Sequence, residues 1–214
     1  MKRMALVLGL LAVGTFVFAQ VNLPEHYFVG GNWVVSGQRL YQNDATSGLA
    51  KMNVRAPQSG AMAYEFDARY EGGAEDGHGG FGLHIFVDAP YNQPSWGAGN
   101  SYLLWLNYDE KPSNKAIPAG LSAQIYHSRS NSQMDLVDSF DLNDLVDQVP
   151  DEALYEPVPF KIIADGNTGE VRVYDPTVDD DSYYYVFYVD KKDLPLRGNW
   201  AVLRTNGVKL SFSY

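Results

Sequence analysis

The chain has no cysteine among its 214 residues. That absence removes disulfides, thiol nucleophiles and cysteine-ligated zinc, and it leaves packing, hydrogen bonds or metal ions to stabilise the fold. It also excludes lipid attachment at a mature amino-terminal cysteine. Histidine is scarce too, with four dispersed residues that make no zinc-binding pattern. Positive charge is in deficit: 16 Lys and Arg face 26 Asp and Glu, for a formal net charge of -10. A surface of that sign repels a phosphate backbone, so a nucleic-acid partner is not expected. No glycine-rich phosphate motif sits in a strand-to-helix turn, which removes support for a doubly wound nucleotide fold. No Gly-x-Ser-x-Gly elbow offers a serine nucleophile.

Long apolar runs are missing except at the start, where Lys2 and Arg3 precede the run Met4 to Phe18. This is the pattern of a secretory signal, and Val17 and Ala19 place small residues where cleavage after Ala19 needs them. The run is short for a membrane span, so no retained transmembrane segment is expected. The expected mature domain is residues 20–214, or 214 minus 19, giving 195 residues; without Lys2 and Arg3 its charge falls from -10 to -12. That length supports one substantial core. The expected location is the periplasm or the extracellular space.

What the chain does have is aromatic residues, 14% of the total, with 15 tyrosines. Tyr has an apolar face and a polar tip, which suits sheet cores, interfaces and sugar platforms alike. From Ala61 to Tyr70, Met62, Tyr64, Phe66 and Ala68 alternate with Ala63, Glu65, Asp67 and Arg69, as in a strand with one buried and one wet face. Phe81 to Asp88 repeats the period, placing Phe81, Leu83, Ile85 and Val87 on one side and His84, Phe86 and Asp88 on the other. The Gly-rich run Glu71 to Gly80 reads as a flexible connection between them. Further strands are expected at Asn32 to Val35, Gly37 to Gln42, Leu49 to Val54, Ser101 to Tyr108, Leu121 to His127, Tyr183 to Asp190, Trp200 to Arg204 and Val208 to Phe212. A hairpin is expected from Phe160–Ala164 through Asp165-Gly166-Asn167-Thr168-Gly169 to Glu170–Tyr174.

One short helix is expected from Asp141 to Val149, with Leu142, Leu145, Val146 and Val149 on one face and Pro150 as its stop. Asp135, Asp138, Asp141, Asp144 and Asp147 recur every three positions, which fits solvent exposure and capping better than a metal cluster. The oxygen-rich stretch Asp165 to Glu170 and the run Asp179 to Asp181 make a structural calcium ion a further expectation, without a defined ligand set.

Taken together, the opening Gly31-Asn32-Trp33 with Gly37, the strand Tyr64 to Asp67, the segment Gly80 to Ile85, the Phe160 to Tyr174 hairpin and Gly198-Asn199-Trp200 resemble the concanavalin-A-like lectin and glucanase superfamily. The resemblance implies an all-β, two-sheet antiparallel jelly-roll sandwich with one short helix. Members of that group often bind glycans on one concave sheet and its loops. The local match here is His84 and Asp88 on one strand, Tyr91, Trp96 and Asn100 on the following loop, and Trp105 and Asn107 on the next strand. Aromatic faces stack on sugar rings, and Asp, Asn and His bond their hydroxyls.

Two other readings stay open. Tyr-rich strands and an acidic surface also suit an assembly role with an envelope protein partner. In addition, Glu65-Phe66-Asp67-Ala68-Arg69-Tyr70-Glu71 resembles the acidic motif of retaining β-glucanases, which implies Glu65 as nucleophile, Asp67 as modulating carboxylate and Glu71 as acid/base. Arg69 on the same face offers simple ion pairing instead. The sequence fixes neither the sugar nor the oligomeric state.

Overall fold

Period-two alternation makes each strand two-faced, and two such faces closed on each other make a sandwich. A computed structural model describes residues 24–146, 155–178, 181–182 and 184–213. The signal segment, most of the second half of the expected helix, Asp179, Asp180 and Tyr183 lie outside the described residues. Fourteen strands follow in chain order. They are β1 (His26–Val29), β2 (Trp33–Ser36), β3 (Arg39–Gln42), β4 (Ala50–Ser59), β5 (Ala61–Gly73), β6 (His78–Val87) and β7 (Ser101–Asp109). Then come β8 (Gly120–Ser128), β9 (Met134–Asp141), β10 (Val158–Asp165), β11 (Glu170–Tyr174), β12 (Tyr184–Tyr188), β13 (Arg197–Asn206) and β14 (Val208–Ser213).

Two seven-stranded sheets result, ordered β1-β4-β13-β6-β7-β8-β9 and β12-β11-β10-β5-β14-β3-β2. Every pairing among the described strands is antiparallel. The jelly-roll sandwich expected from the sequence is thus the architecture, and among the described residues it carries one short α-helical turn, α1 (Asn143–Val146), and a 3-10 turn at Lys191–Asp193. Asp141 serves its start by accepting from the Asn143 backbone amide at 2.9 Å.

Between the sheets, Leu83, Ile85, Tyr102, Leu104 and Ile125 of the first layer meet Ile162, Ala164, Val171 and Phe187 of the second. Full burial of a side chain of this size contributes about 1.5–3 kcal/mol. A second cluster is aromatic, with Phe81 edge-on to Phe160 at 5.2 Å and Phe66 stacked on Phe160 at 5.5 Å. Edge-to-face and offset pairs of this kind add to area burial.

Three local expectations change. The connection between β5 and β6 is a tight turn, because β5 runs on to Gly73 and β6 starts at His78. Met134–Asp141, read from its acids as a solvated run, is an edge strand; Asp135 pairs there with Arg129, and Asp138 caps the Ser139 amide at 2.8 Å. The third change lies in β6. Phe86 has φ 54 and the pairing register with β13 shifts there, so Phe86 turns into the core while Val87 joins Val202 and Ala98 on the opposite face. The Gln58 side chain serves this bulge, accepting from the Phe86 amide at 2.8 Å and donating to the Trp200 carbonyl at 2.6 Å. Alternation alone cannot reveal a one-residue slip of this kind.

Candidate functional site

The residues that alternate away from the core on the first sheet form two rows across its outer face. Cross-strand pairing aligns Lys51, Arg204, Gly82, Trp105, Gln124 and Ser139 in one row. The adjacent row is Asn53, Val202, His84, Leu103, Tyr126 and Leu136. Neighbouring strands lie about 4.8 Å apart, so successive side chains in a row are in contact range. Gly82 leaves room for the Trp105 indole to lie across the sheet: a Cβ there would sit 2.9 Å from the ring and would overlap the Leu104 carbonyl. Gly80 does the same one pleat away, where a Cβ would be 2.9 Å from Trp105 Cζ2.

The loop between β6 and β7 folds down onto these rows. Asp88 closes its neck, accepting from the Ala89 amide at 2.6 Å and the Asn100 amide at 2.9 Å. Farther along, Ala98 N donates to Ser128 Oγ at 3.0 Å and Gly99 N donates to Asn131 Oδ1 at 2.9 Å. From beneath, Lys51 Nζ donates to Ser95 Oγ at 2.8 Å and to the Gly97 carbonyl at 2.6 Å. Arg204 Nη1 donates to the Trp96 carbonyl at 2.9 Å. The Arg204 guanidinium lies between two indoles, 5.1 Å from the centre of Trp96 and 5.0 Å from that of Trp105. Cation–π attraction at such distances fixes the orientation of both rings.

Trp96 is thereby held rigidly while 57% exposed, although it is a large apolar side chain. Trp105 lies beneath Arg204, almost covered, and its Nε1 donates to Asn107 Oδ1 at 3.0 Å. Next to it Tyr126 donates to Gln124 Oε1 at 2.7 Å. The surface therefore presents the Trp96 indole, with Asn107 and Tyr126 partly exposed on the sheet, while Arg204, Trp105 and Gln124 support it from below as buried groups.

The electrostatics are uneven. Burial, with Arg204 nearby, pulls the Lys51 ammonium down to about 7. Burial also lowers the Arg204 guanidinium to about 10, with Tyr126 opposing the change. Burial and then the charges of Lys51 and Arg204 hold His84 well below its usual range, so its ring is neutral. Ser101 Oγ donates to the Ala98 carbonyl at 3.0 Å, which leaves it to accept from His84 Nδ1 at 3.0 Å and leaves Nε2 as a bare acceptor.

Of the residues singled out from the sequence, Trp96, Trp105 and Asn107 share this platform. His84 lies under the loop, fully buried. Asp88 is the loop's latch, and Tyr91 is exposed on its outer turn. Asn100 turns away, its Oδ1 lying 3.0 Å from His127 Nε2. An open cleft of about 420 Å³ at the loop's foot is lined by Asp88, Arg197, Asn199 and Pro57 to Ser59.

Sequence reasoning missed Arg204, Lys51, Asn53, Gln124 and Tyr126. The readable signal was a single basic residue in each of two mainly apolar strands, Leu49 to Val54, which also carries Asn53, and Trp200 to Arg204.

Glu65, Asp67 and Glu71 lie on the outer face of the second sheet, since Tyr64, Phe66 and Ala68 of β5 pack into the core. Glu71 Oε1 takes Arg69 at 2.7 Å and Ser211 Oγ at 2.5 Å, and Glu65 stands opposite Lys161. They belong to a solvated ladder of alternating charges rather than opposed walls of a cleft. Asp165 Oδ1 accepts from the Asn167 amide at 2.8 Å within its own hairpin turn. Among the described residues, no three His, Cys, Asp or Glu side chains gather as a metal site.

No protein-family model matches the sequence, and no curated protein matches it. Solved structures do match in fold. A carbohydrate-binding module, CBM66 from Bacillus subtilis, superposes with a TM-score of 0.56 at 13% identity, over 90% of this chain and 94% of that one. A Bacillus subtilis protein of unknown function with a galectin-like fold gives 0.54 at 15% identity, over 88% and 86%. The CBM2 module of the evolved Dit protein of Lactobacillus casei BL23 phage J-1 gives 0.52 at 13% identity, over 86% and 77%. At these identities the likeness establishes the fold alone, a two-sheet antiparallel sandwich.

Proposed function

We propose that this chain is a noncatalytic carbohydrate-binding protein that acts outside the cytoplasm and receives a glycan on the outer face of its first sheet. One observation carries the reading: Trp96 presents a largely exposed indole oriented by Arg204, on the sheet face where Tyr126 and Asn107 are partly exposed. A sugar ring has apolar C–H faces and a hydroxyl rim, and an exposed indole bordered by polar side chains offers complements to both. The fold shared with two carbohydrate-binding modules supports the reading, and the Lys2, Arg3 and Met4–Phe18 leader supports the location. The test is affinity electrophoresis of the exported protein through a panel of neutral and acidic polysaccharides, comparing wild type with Trp96→Ala. Retardation by at least one polysaccharide, lost in a still-folded variant, is expected; retardation unchanged by the substitution would remove the platform from the account.

A second reading has its own observation. β12 is an edge of the second sheet and exposes Tyr184 and Tyr188, so an envelope protein could add a strand there. Pull-down of a partner that Tyr188→Lys abolishes, with glycan binding absent, would favour assembly.

A further inference from the structure

On the outer face of the first sheet, Lys51 and Arg204 are buried with no carboxylate partner among the described residues. Lys51 is 1% exposed and Arg204 3% exposed, and the acceptors they hold are neutral oxygens of the overlying loop. Several other cations of this acidic chain pair with carboxylates, Arg69 with Glu71, Arg129 with Asp135, Arg172 with Glu170 and Lys192 with Asp190, while the less buried Arg39 holds neutral oxygens of Ser211 and Ser213. Burying a guanidinium and an amine at one place without a carboxylate is costly, and an anionic ligand would offset that cost. Unpartnered polar atoms lie in the same cluster. Both side-chain atoms of Asn53, His84 Nε2 and Arg204 Nε are buried without a hydrogen-bond partner. Asn53 and His84 flank Val202 in the row adjoining Lys51 and Arg204. The cluster thus holds a guanidinium, a lysine amine, an amide that donates and accepts, and an imidazole acceptor, gathered at the loop's underside.

We propose that the Tyr91–Gly99 segment is a lid over a subsite for an acidic sugar, whose oxyanion displaces the Trp96 and Gly97 carbonyl oxygens from Arg204 and Lys51. The inference rests on the glycan-binding reading and names the ligand class, a polysaccharide with carboxylate or sulfate-ester groups. The oxyanion supplies the missing counter-charge, while Asn53 and His84 Nε2 take the hydroxyls of the same residue. Charge-assisted hydrogen bonds to an oxyanion exceed those to a carbonyl, which gives the ligand the advantage over the loop. Trp96, carried on the lid, remains available to close on the sugar face.

The test measures binding of polygalacturonic acid, dextran sulfate and uncharged dextran to the exported protein at fixed ionic strength, with amide exchange of Gly97 and Ala98 followed in the same samples. Expected results are at least tenfold tighter binding of one acidic polymer than of dextran, faster exchange at both amides on binding, and at least a tenfold fall in that preference in Lys51→Met. Carboxylate and sulfate ester are told apart by which acidic polymer shows the Lys51 dependence. Trp96-dependent binding of neutral glycans with no acidic preference would overturn the subsite and leave the glycan reading standing. If no polysaccharide binds, both fall. Acidic binding that survives Lys51→Met with the lid amides still protected is surface charge attraction and overturns the proposal. If Lys51→Met does not fold, the exchange of Gly97 and Ala98 in the wild type decides.

Discussion

Arg204 holds Trp96 twice, through a 2.9 Å hydrogen bond from Nη1 to its carbonyl and through a guanidinium 5.1 Å from its ring centre. The bond sets the backbone and the stacking sets the side chain, so in the closed arrangement the sheet orients an exposed indole carried on a long loop. That coupling makes a platform from residues 108 positions apart in sequence.

Arg204→Met tests whether the guanidinium serves folding or binding. A buried cation without a carboxylate replaced by an apolar chain of similar length is expected to leave stability within about 1 kcal/mol. Glycan retardation should nonetheless be lost. Urea unfolding and affinity electrophoresis of the same variant give the two readings.

Lys51 makes stability depend on pH in a predictable direction. Its folded value near 7 lies below the unfolded value of 10.5, so between those values the unfolded chain binds more protons. Stability contributed at this site therefore rises as pH increases from 7 toward 10, by at most about 1.4 kcal/mol per pH unit. Lys51→Met lacks this dependence. Its unfolding free energy relative to wild type should be highest at or below pH 7 and fall progressively at higher pH, as denaturant titrations across that range would show.

Gly82→Ala should displace the Trp105 indole, because the added methyl meets both the ring and the Leu104 carbonyl. A cost of about 1–3 kcal/mol is expected for such overpacking. A changed near-ultraviolet circular dichroism spectrum, together with weakened glycan binding, would accompany it.

Tyr102→Phe removes the hydroxyl that donates to Asp193 at 2.7 Å within the stack of Tyr102 on His127. Burial raises the Tyr102 hydroxyl above the usual phenol range, with Asp193 adding to the shift, so it remains a donor at neutral pH. The variant should lose about 1–2 kcal/mol in urea unfolding and leave glycan binding intact, since this contact faces the core.

The strands were legible where one face is apolar and the other charged, as in Met62 to Ala68, and the Asp165 to Gly169 hairpin turn was legible from its composition. β9 was not: its acids gave no alternation, and its pairing partner β8 determines that it is a strand. The β6 bulge was hidden because Phe86 and Val87 are both apolar, so a slip by one residue leaves the pattern unchanged. Trp96 stood out as an aromatic among Pro, Ser and Gly. Arg204 and Lys51 did not, because their adjacency is created by β4–β13 pairing across more than 150 intervening residues. Long-range register of that kind is decided by packing of the whole sandwich rather than by any local signal.

The most direct measurement of the central claim follows the four tryptophan indole N–H resonances while oligosaccharides from the tightest-binding polysaccharide are added to the ¹⁵N-labelled protein. The account predicts that Trp96 and Trp105 shift together and saturably, while Trp33 and Trp200 stay in place. Shifts confined to Trp33 or Trp200, or saturable binding that moves neither Trp96 nor Trp105, would contradict it.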